Sequence, residues 1–586
     1  MALNTSLSPA ITIREVDLSG VVPATQTSIG AFVGEFNWGP VDEPILIDNE
    51  GTLVTRFGAP SATSADEFLS AASFLRYSQS LQVVRTIDDD ATTGGKNAYD
   101  TVATTLAVAS RPLVKNADAF DTQSAALNSD GHTFISRYAG ASGSSLSIQI
   151  CPTSSADSAY NNWAYNSEFD AAPGTSTFVS SVNGSNDEMH VIVVDDDGLI
   201  SGTVGAVLEK FAYVSAATDA KTTDGTANHV LDVVRNRSEY VHAVSLNQDS
   251  DAAATSFTLT GAANTDFILT DDTVKTYSLG NGALGSAIST ADYLLGFDQF
   301  ENVEEITVDF LIAPGLSLEA DQTTVVNDLI ATASTIRKDC VVVASPNRAS
   351  VVGNAASSIV TDTVTFGNTL TASSYLFLDN NYLKVYDKYN DQYVTIPAAA
   401  STAGIMANTD RVAASWHSPA GNRRGNYLGI TSLAYSASKS QRDTLYKNGI
   451  NPVVNIPGQG PILFGDKTKE SRPSAFDRIN VRRLFLTIER AIGAAARNVM
   501  FEFNDEFTRA EFVGIVEPFL RQVQGQRGIS DFRVVCDETN NTSAVVDRNE
   551  FVFDVFVKPA RSINYVILNF VAVRSGVDFS EVVGTV

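Results

Sequence analysis

The sequence predicts a multidomain protein of α/β and α+β character. It has an α+β core near the C-terminus, an α/β core interrupted by inserted β-rich and α/β domains, and an extended arm at each end. Three observations carry this. The chain has 586 residues, room for three or four domains. Strand-like and helix-like periods alternate toward both ends, as elements covering a sheet must. Between them the composition turns to Ser, Thr, Ala and Gly around short apolar runs, as in β-rich insertions.

In chain order, Ile11-Thr12-Ile13-Arg14-Glu15-Val16-Asp17-Leu18 alternates apolar and polar residues between Pro9 and Pro23. No hairpin partner follows closely, so residues 1–22 read as an arm whose strand must join a sheet elsewhere. Residues 23–95 read as α/β: strand 28–35, strand 45–48, helix 49–57 closed by Gly58, helix 66–78 and buried strand 81–87. Gly34 and Gly39 lack the GxxxxGK[ST] spacing of a phosphate loop. Residues 96–195 read as a β-rich insertion with strands 145–151 and 190–194. Asp195-Asp196-Asp197-Gly198 lacks the spaced ligands of a calcium loop and reads as a hairpin turn.

Residues 196–365 form a second insertion. Its clearest part is a βαβ unit of strand 305–312, helix 318–336 and strand 340–344, with no GxGxxG to open the helix. Residues 366–440 return to the α/β core with a hairpin of strand 382–386, turn 388–391 and strand 392–396. In the loop that follows, His417-Ser418 has no nucleophile elbow and carries no hydrolase signature. Residues 441–574 are the C-terminal α+β domain. Its helix 479–497 is marked by Ile479, Leu484, Ile488, Ala491 and Ile492. A second helix starts at an Asn504 N-cap and stops at Gly525, and strands 531–537, 550–557 and 563–573 follow. Residues 575–586 are the C-terminal arm.

Net charge is −27, which argues against nucleic acid or an anionic membrane as partner. The one basic region is 404–530, with 17 basic and 11 acidic groups. No apolar run reaches membrane-span length, and MALNTSLSPA does not look like a signal peptide. Cys151, Cys340 and Cys536 are far apart. The apolar patterns around Cys340 and Cys536 predict buried free thiols, neither disulfide nor metal site. No clustered His, Cys or carboxylate signature points to an enzyme or a cofactor.

Several long runs carry a family resemblance. They are GINPVVNIPGQGPILFGDKT (Gly449 to Thr468), SAFDRINVRRLF (Ser474 to Phe485), FEFNDEFTRAEF (Phe501 to Phe512), VEPFLRQVQGQRGISDFRVVCDETNN (Val516 to Asn541) and the stretch from Asp547 to Val582. AFVGEFNWGPVDEP (Ala31 to Pro44) adds to them near the start. Together they resemble the contractile tail sheath proteins of T4-type bacteriophages, and they make the C-terminal α+β domain look like a sheath core.

The resemblance implies a structural, non-enzymatic virion subunit that needs no cofactor and assembles in the host cytoplasm. Hexameric rings would stack helically around a tail tube, meet baseplate and tail terminator proteins, and contract to drive the tube through the host envelope. It implies that the arms pair with neighbouring subunits, through Ile11, Ile13, Val16 and Leu18 at one end and Val577, Phe579 and Val582 at the other. The tube-facing candidates are then Arg482, Arg483, Arg490, Arg497, Arg509, Arg521 and Arg527, although carboxylates within the domain, such as Asp477, compete for them. A sheath of a cell-encoded contractile injection system is the alternative reading.

Overall fold

A computed structural model describes residues 28–90, 92–100, 110–130, 132–245, 262–267 and 273–564. The described residues divide into two compact units, one within 24–415 and 419–491, the other within 416–418 and 492–586.

The larger unit is built on a six-stranded sheet. Its order is Leu376–Leu378, Val341–Ala344, Phe310–Ile312, Gly30–Glu35, Leu81–Thr86, Pro44–Ile47. The first five strands are parallel, with Gly30 opposite both Phe310 and Leu81, and the last is an antiparallel edge. A parallel sheet must be covered on both faces, and the alternation of side chains shows how. Phe32, Val83, Phe310, Ile312, Val341, Val343 and Phe377 point into one core with the Ala65–Leu75 and Ala399–Val412 helices. Ala31, Val33, Val84, Leu311, Val342, Ala344, Leu376 and Leu378 point into the other, under the Thr290–Asp298, Glu319–Ala331 and Ala356–Thr369 helices. The Ala399–Val412 helix is buried almost all round because its small residues allow close approach. A Cβ on Gly404 would meet the Tyr77 ring at 2.5 Å.

The βαβ unit is present, with its second strand at Val341–Ala344 and its first shortened to Phe310–Ile312. Its helix is α-helical only to Ala331 and continues as a π-helical turn over Thr332–Arg337. The unit is not a separate insertion. Phe310–Ile312 pairs in register with Gly30–Glu35, and Val341–Ala344 with Phe310–Ile312, so the two strands complete the core sheet. Partner choice across nearly three hundred residues is a tertiary decision that local periodicity does not encode.

The inserted β region is likewise larger than expected. One eight-stranded antiparallel sheet runs Ala206–Ser215, Glu188–Asp195, Leu146–Pro152, Lys275–Gly280, Gly94–Asp100, Phe134–Ala139, Val241–Ala243, with Ala283–Gly285 also on Gly94–Asp100. It crosses the boundary expected at 195/196. Arg85 ties it to the core: fully buried, the guanidinium donates to the carbonyl oxygens of Phe36 (2.8 Å), Gly39 (2.6 Å) and Ala139 (2.6 Å). The Asp195 carboxylate accepts from the amides of Ile200 (3.0 Å) and Ser201 (2.7 Å) and from the Ser201 hydroxyl, organising the connection to the next strand. That connection spans 196–205, longer than a tight hairpin turn.

The hairpin Tyr382–Asp387/Gln392–Pro397 forms as expected, with Ser432–Leu433 as a third strand. The Ile479–Ala496 helix matches its predicted span, and the division between units falls inside it, at 491/492.

In the smaller unit a helix runs Glu506–Gly525 beside a two-stranded sheet, Ile529–Val535 with Asp554–Pro559. Its N-cap is Asp505, whose carboxylate accepts from Thr508 N at 2.8 Å, and not the expected Asn504. Asn504 instead accepts from Arg509 Nε at 2.9 Å. Phe512, Val516, Leu520, Val523 and Ile529 are buried, with Phe551 and Phe553 edge-on to Phe512. Cys151 and Cys340 are buried, whereas Cys536 lies one residue past its strand and is half-buried. The strand expected at 563–573 and both arms lie almost wholly or wholly outside the described residues.

Candidate assembly surface

A doubly wound parallel sheet offers a ligand crevice at the carboxyl ends of its strands, where the winding reverses. Here that point lies between Gly30–Glu35 and Phe310–Ile312, and side chains of the chain itself close it. Glu67 accepts from the Glu35 amide and from the Tyr293 hydroxyl. Burial, with Asp66 nearby, pushes the Glu67 carboxyl up to about 8. Gln322, fully buried, accepts from Leu316 N (2.9 Å) and donates to the carbonyl oxygens of Pro314 (2.8 Å) and Ser345 (3.1 Å), sealing the crossover loop. Among the described residues no group of His, Cys, Asp and Glu could hold a metal ion. None of their helices is long and apolar enough to cross a membrane.

Nearby, Asp379 is wholly buried and accepts from Ser345 Oγ (2.8 Å), Asn381 N (3.2 Å) and Thr402 Oγ1 (3.4 Å). Desolvation outweighs these bonds and raises its carboxyl to about 7. The folded protein therefore holds this proton more tightly than the unfolded chain. The stability it contributes is complete below about pH 4 and is lost as pH rises through about 7. Asp379→Asn should flatten that slope, giving a variant relatively more stable at pH 8 than at pH 5. Urea midpoints of both proteins at the two pH values test this, and parallel shifts would contradict it.

The seven candidate arginines separate into two groups. Arg482 is buried between the rings of Tyr375 (4.2 Å) and Phe476 (4.0 Å) and donates to Ser374 Oγ. Arg483 is buried, pairs with Asp410 at 2.5 Å and lies over the Phe310 ring. Arg490 pairs with Asp309 at 2.5 Å and donates to the Asp339 carbonyl oxygen at 2.9 Å. Asp477 pairs with Arg478 and with neither expected arginine. These three cations contact groups of their own chain: Arg483 and Arg490 meet carboxylates, and Arg482 meets two aromatic rings and a hydroxyl.

Arg497, Arg521 and Arg527 are exposed, Arg521 paired with Glu517 one turn away at 3.3 Å, and Arg509 is half-buried. The inward group had a local signal. Arg483, Leu486, Thr487 and Arg490 follow the i, i+3, i+4, i+7 spacing of one helix face, and Leu486 is apolar.

The comparisons with known proteins agree with this architecture. Family profiles match over 27–86 (tail sheath protein domain III, N-terminal region), 286–469 (phage tail sheath central domain) and 471–572 (phage tail sheath C-terminal domain). The chain is 33% identical to the tail sheath protein of Enterobacteria phage T4, covering 99% of each chain. It is 31% identical to that of Vibrio phage KVP40, covering 99% of this chain and 100% of the relative. Among solved structures, the sheath tail protein of Listeria innocua matches in fold. Its TM-score is 0.52 at 13% identity, over 92% of this chain and 96% of that one.

By these matches the multidomain α/β chain is one of the structural components of contractile phage tails. It belongs to the tail sheath protein family of the T4-type myoviruses.

Proposed function

We propose that this chain is the subunit from which a phage tail sheath is built, as hexameric rings stacked around a tail tube. Contraction of the stack drives the tube through the host envelope. The observation that carries this reading is family likeness along essentially the whole chain, at 31–33% identity to tail sheath proteins. The work of contraction comes from exchanging one set of inter-subunit contacts for another, with no reaction catalysed by the chain. Assembly takes place in the host cytoplasm, with baseplate and tail terminator proteins bounding the stack. Purified protein should form long tubes visible by electron microscopy. A chain that stays monomeric at high concentration, alone and with its tube protein, would refute the reading.

The tube-facing role falls to Arg497, Arg521 and Arg527, with Arg509 beside them, since these remain at the surface. Exposed ion pairs contribute little singly, so a ring of them sets register and salt sensitivity. Changing Arg497, Arg521 and Arg527 together to Ala should weaken sheath–tube co-assembly severalfold and make it insensitive to salt, as read by co-sedimentation across a salt series. Unchanged co-assembly at molar salt for the unmodified chain would exclude an electrostatic contact.

A further inference from the structure

In the β-rich sheet the strands Gly94–Asp100, Phe134–Ala139 and Val241–Ala243 lie side by side. Their register sets Tyr99 opposite Ile135 and Ile135 opposite His242, so these three side chains share one face. The Ala117–Ser129 helix packs there through two buried side chains, Phe120 and Leu127. Phe120 stacks on the His242 ring, with centroids 4.0 Å apart and planes at 5°. His242 is 2% exposed, and neither ring nitrogen has a hydrogen-bond partner among the described residues. A proton added there would be a buried charge with nothing to solvate it, so this contact requires the neutral ring.

We propose that His242 is an acid-operated latch, whose protonation releases the Ala117–Ser129 helix from the β-rich sheet while the core sheet stays folded. The charges acting on the ring are both positive. Arg137, on the middle strand, donates to the Ser238 carbonyl oxygen at 2.7 Å. Arg235, from the Val230–Arg237 helix, lies 5.1 Å from the Phe120 ring centre. The carboxylates of the surrounding elements are engaged elsewhere. Asp100 faces His132 at 3.8 Å and accepts from the Thr133 amide at 3.0 Å. Glu209 accepts from Ser238 Oγ and from the Glu239 amide, and Asp232 acts on His229. Asp118 and Asp121, on the covering helix, are exposed. Burial, with Arg137 and Arg235, pushes His242 down to about 3 from its ordinary 6.5. The stability that the neutral ring contributes is therefore complete above pH 6.5 and is lost as pH falls toward 3. Glu67 and Asp379 in the core have raised carboxyls and contribute more over the same fall. Acid thus loosens one layer of the chain and tightens another.

Hydrogen exchange of the full chain, read peptide by peptide by mass spectrometry at pH 7.5 and pH 5, tests this once the intrinsic exchange rates are divided out. Between the two pH values, peptides covering Ala117–Ser129 and Val241–Ala243 should lose about thirtyfold in protection, the factor that one histidine with these two values supplies. Peptides covering Phe310–Ile312 and Val341–Ala344 should keep or gain protection. In His242→Phe, which keeps a flat ring against Phe120 and cannot take a proton, the acid loss should shrink to less than about threefold. His242→Gln, neutral at both pH values, provides a second variant of different packing. The regional contrast within the unmodified chain needs no variant at all. Equal losses in the two regions, or an earlier loss in the core, would overturn the proposal. So would an acid loss in the two variants as large as in the unmodified chain.

Discussion

Arg483→Ala should destabilise the larger unit by about 3–5 kcal/mol, the usual cost of leaving one member of a buried ion pair alone. The guanidinium meets the Asp410 carboxylate at 2.5 Å, and both side chains are nearly inaccessible, at 5% and 7%. Alanine would strand the carboxylate in a dry site and open a void beside Phe310, over which the guanidinium lies at 4.9 Å. The pair joins the Ile479–Ala496 helix to the Ala399–Val412 helix, so the loss should spread to both. The double variant Arg483→Met/Asp410→Leu should recover most of the stability, because an apolar pair of similar volume avoids the desolvation cost. Denaturant unfolding of the two single variants and the double variant provides the cycle. Strictly additive losses would show that the two residues act independently.

Deleting residues 1–22 should abolish ordered sheath while leaving the subunit folded. The smaller unit pairs only two strands, Ile529–Val535 with Asp554–Pro559, among its described residues. An isolated two-stranded sheet is marginal, and its outer edges are templates for further strands. Ile11, Ile13, Val16 and Leu18 have the alternation to supply one from a neighbouring subunit. Val577, Phe579 and Val582 could anchor the other end. Main-chain ladder bonds do not depend on side-chain identity, so point changes in the arm should be mild where its removal is severe. Electron microscopy of the truncated protein, with circular dichroism as control, decides the matter. Full-length sheaths from truncated subunits would end the proposal.

What the sequence alone determined was whatever lies within a few turns of chain. The end of the Glu50–Phe57 helix is legible from Gly58, whose amide donates to the Val54 carbonyl oxygen, while the structure makes Asn49 the N-cap and not part of the first turn. The Ile479–Ala496 helix follows from its apolar period, and the Tyr382–Asp387/Gln392–Pro397 hairpin from two strands and a turn. Family membership was equally legible, because long runs preserve it without any knowledge of contacts.

The tertiary structure decided what depends on distant partners. Phe310–Ile312 could have begun an independent domain, but its pairing with Gly30–Glu35 makes it the middle of the core sheet. The β-rich sheet recruits Lys275–Gly280 beside Leu146–Pro152 across more than a hundred residues. Arginines that look alike in the sequence divide by which carboxylate the fold brings near. Arg490 meets Asp309, 181 positions away, and becomes interior, while Arg497, two turns on, remains at the surface. Local propensity acts through neighbouring backbone. Strand partners and buried charge pairs are selected by the free energy of the whole packed chain, where desolvation punishes every polar group left without a partner.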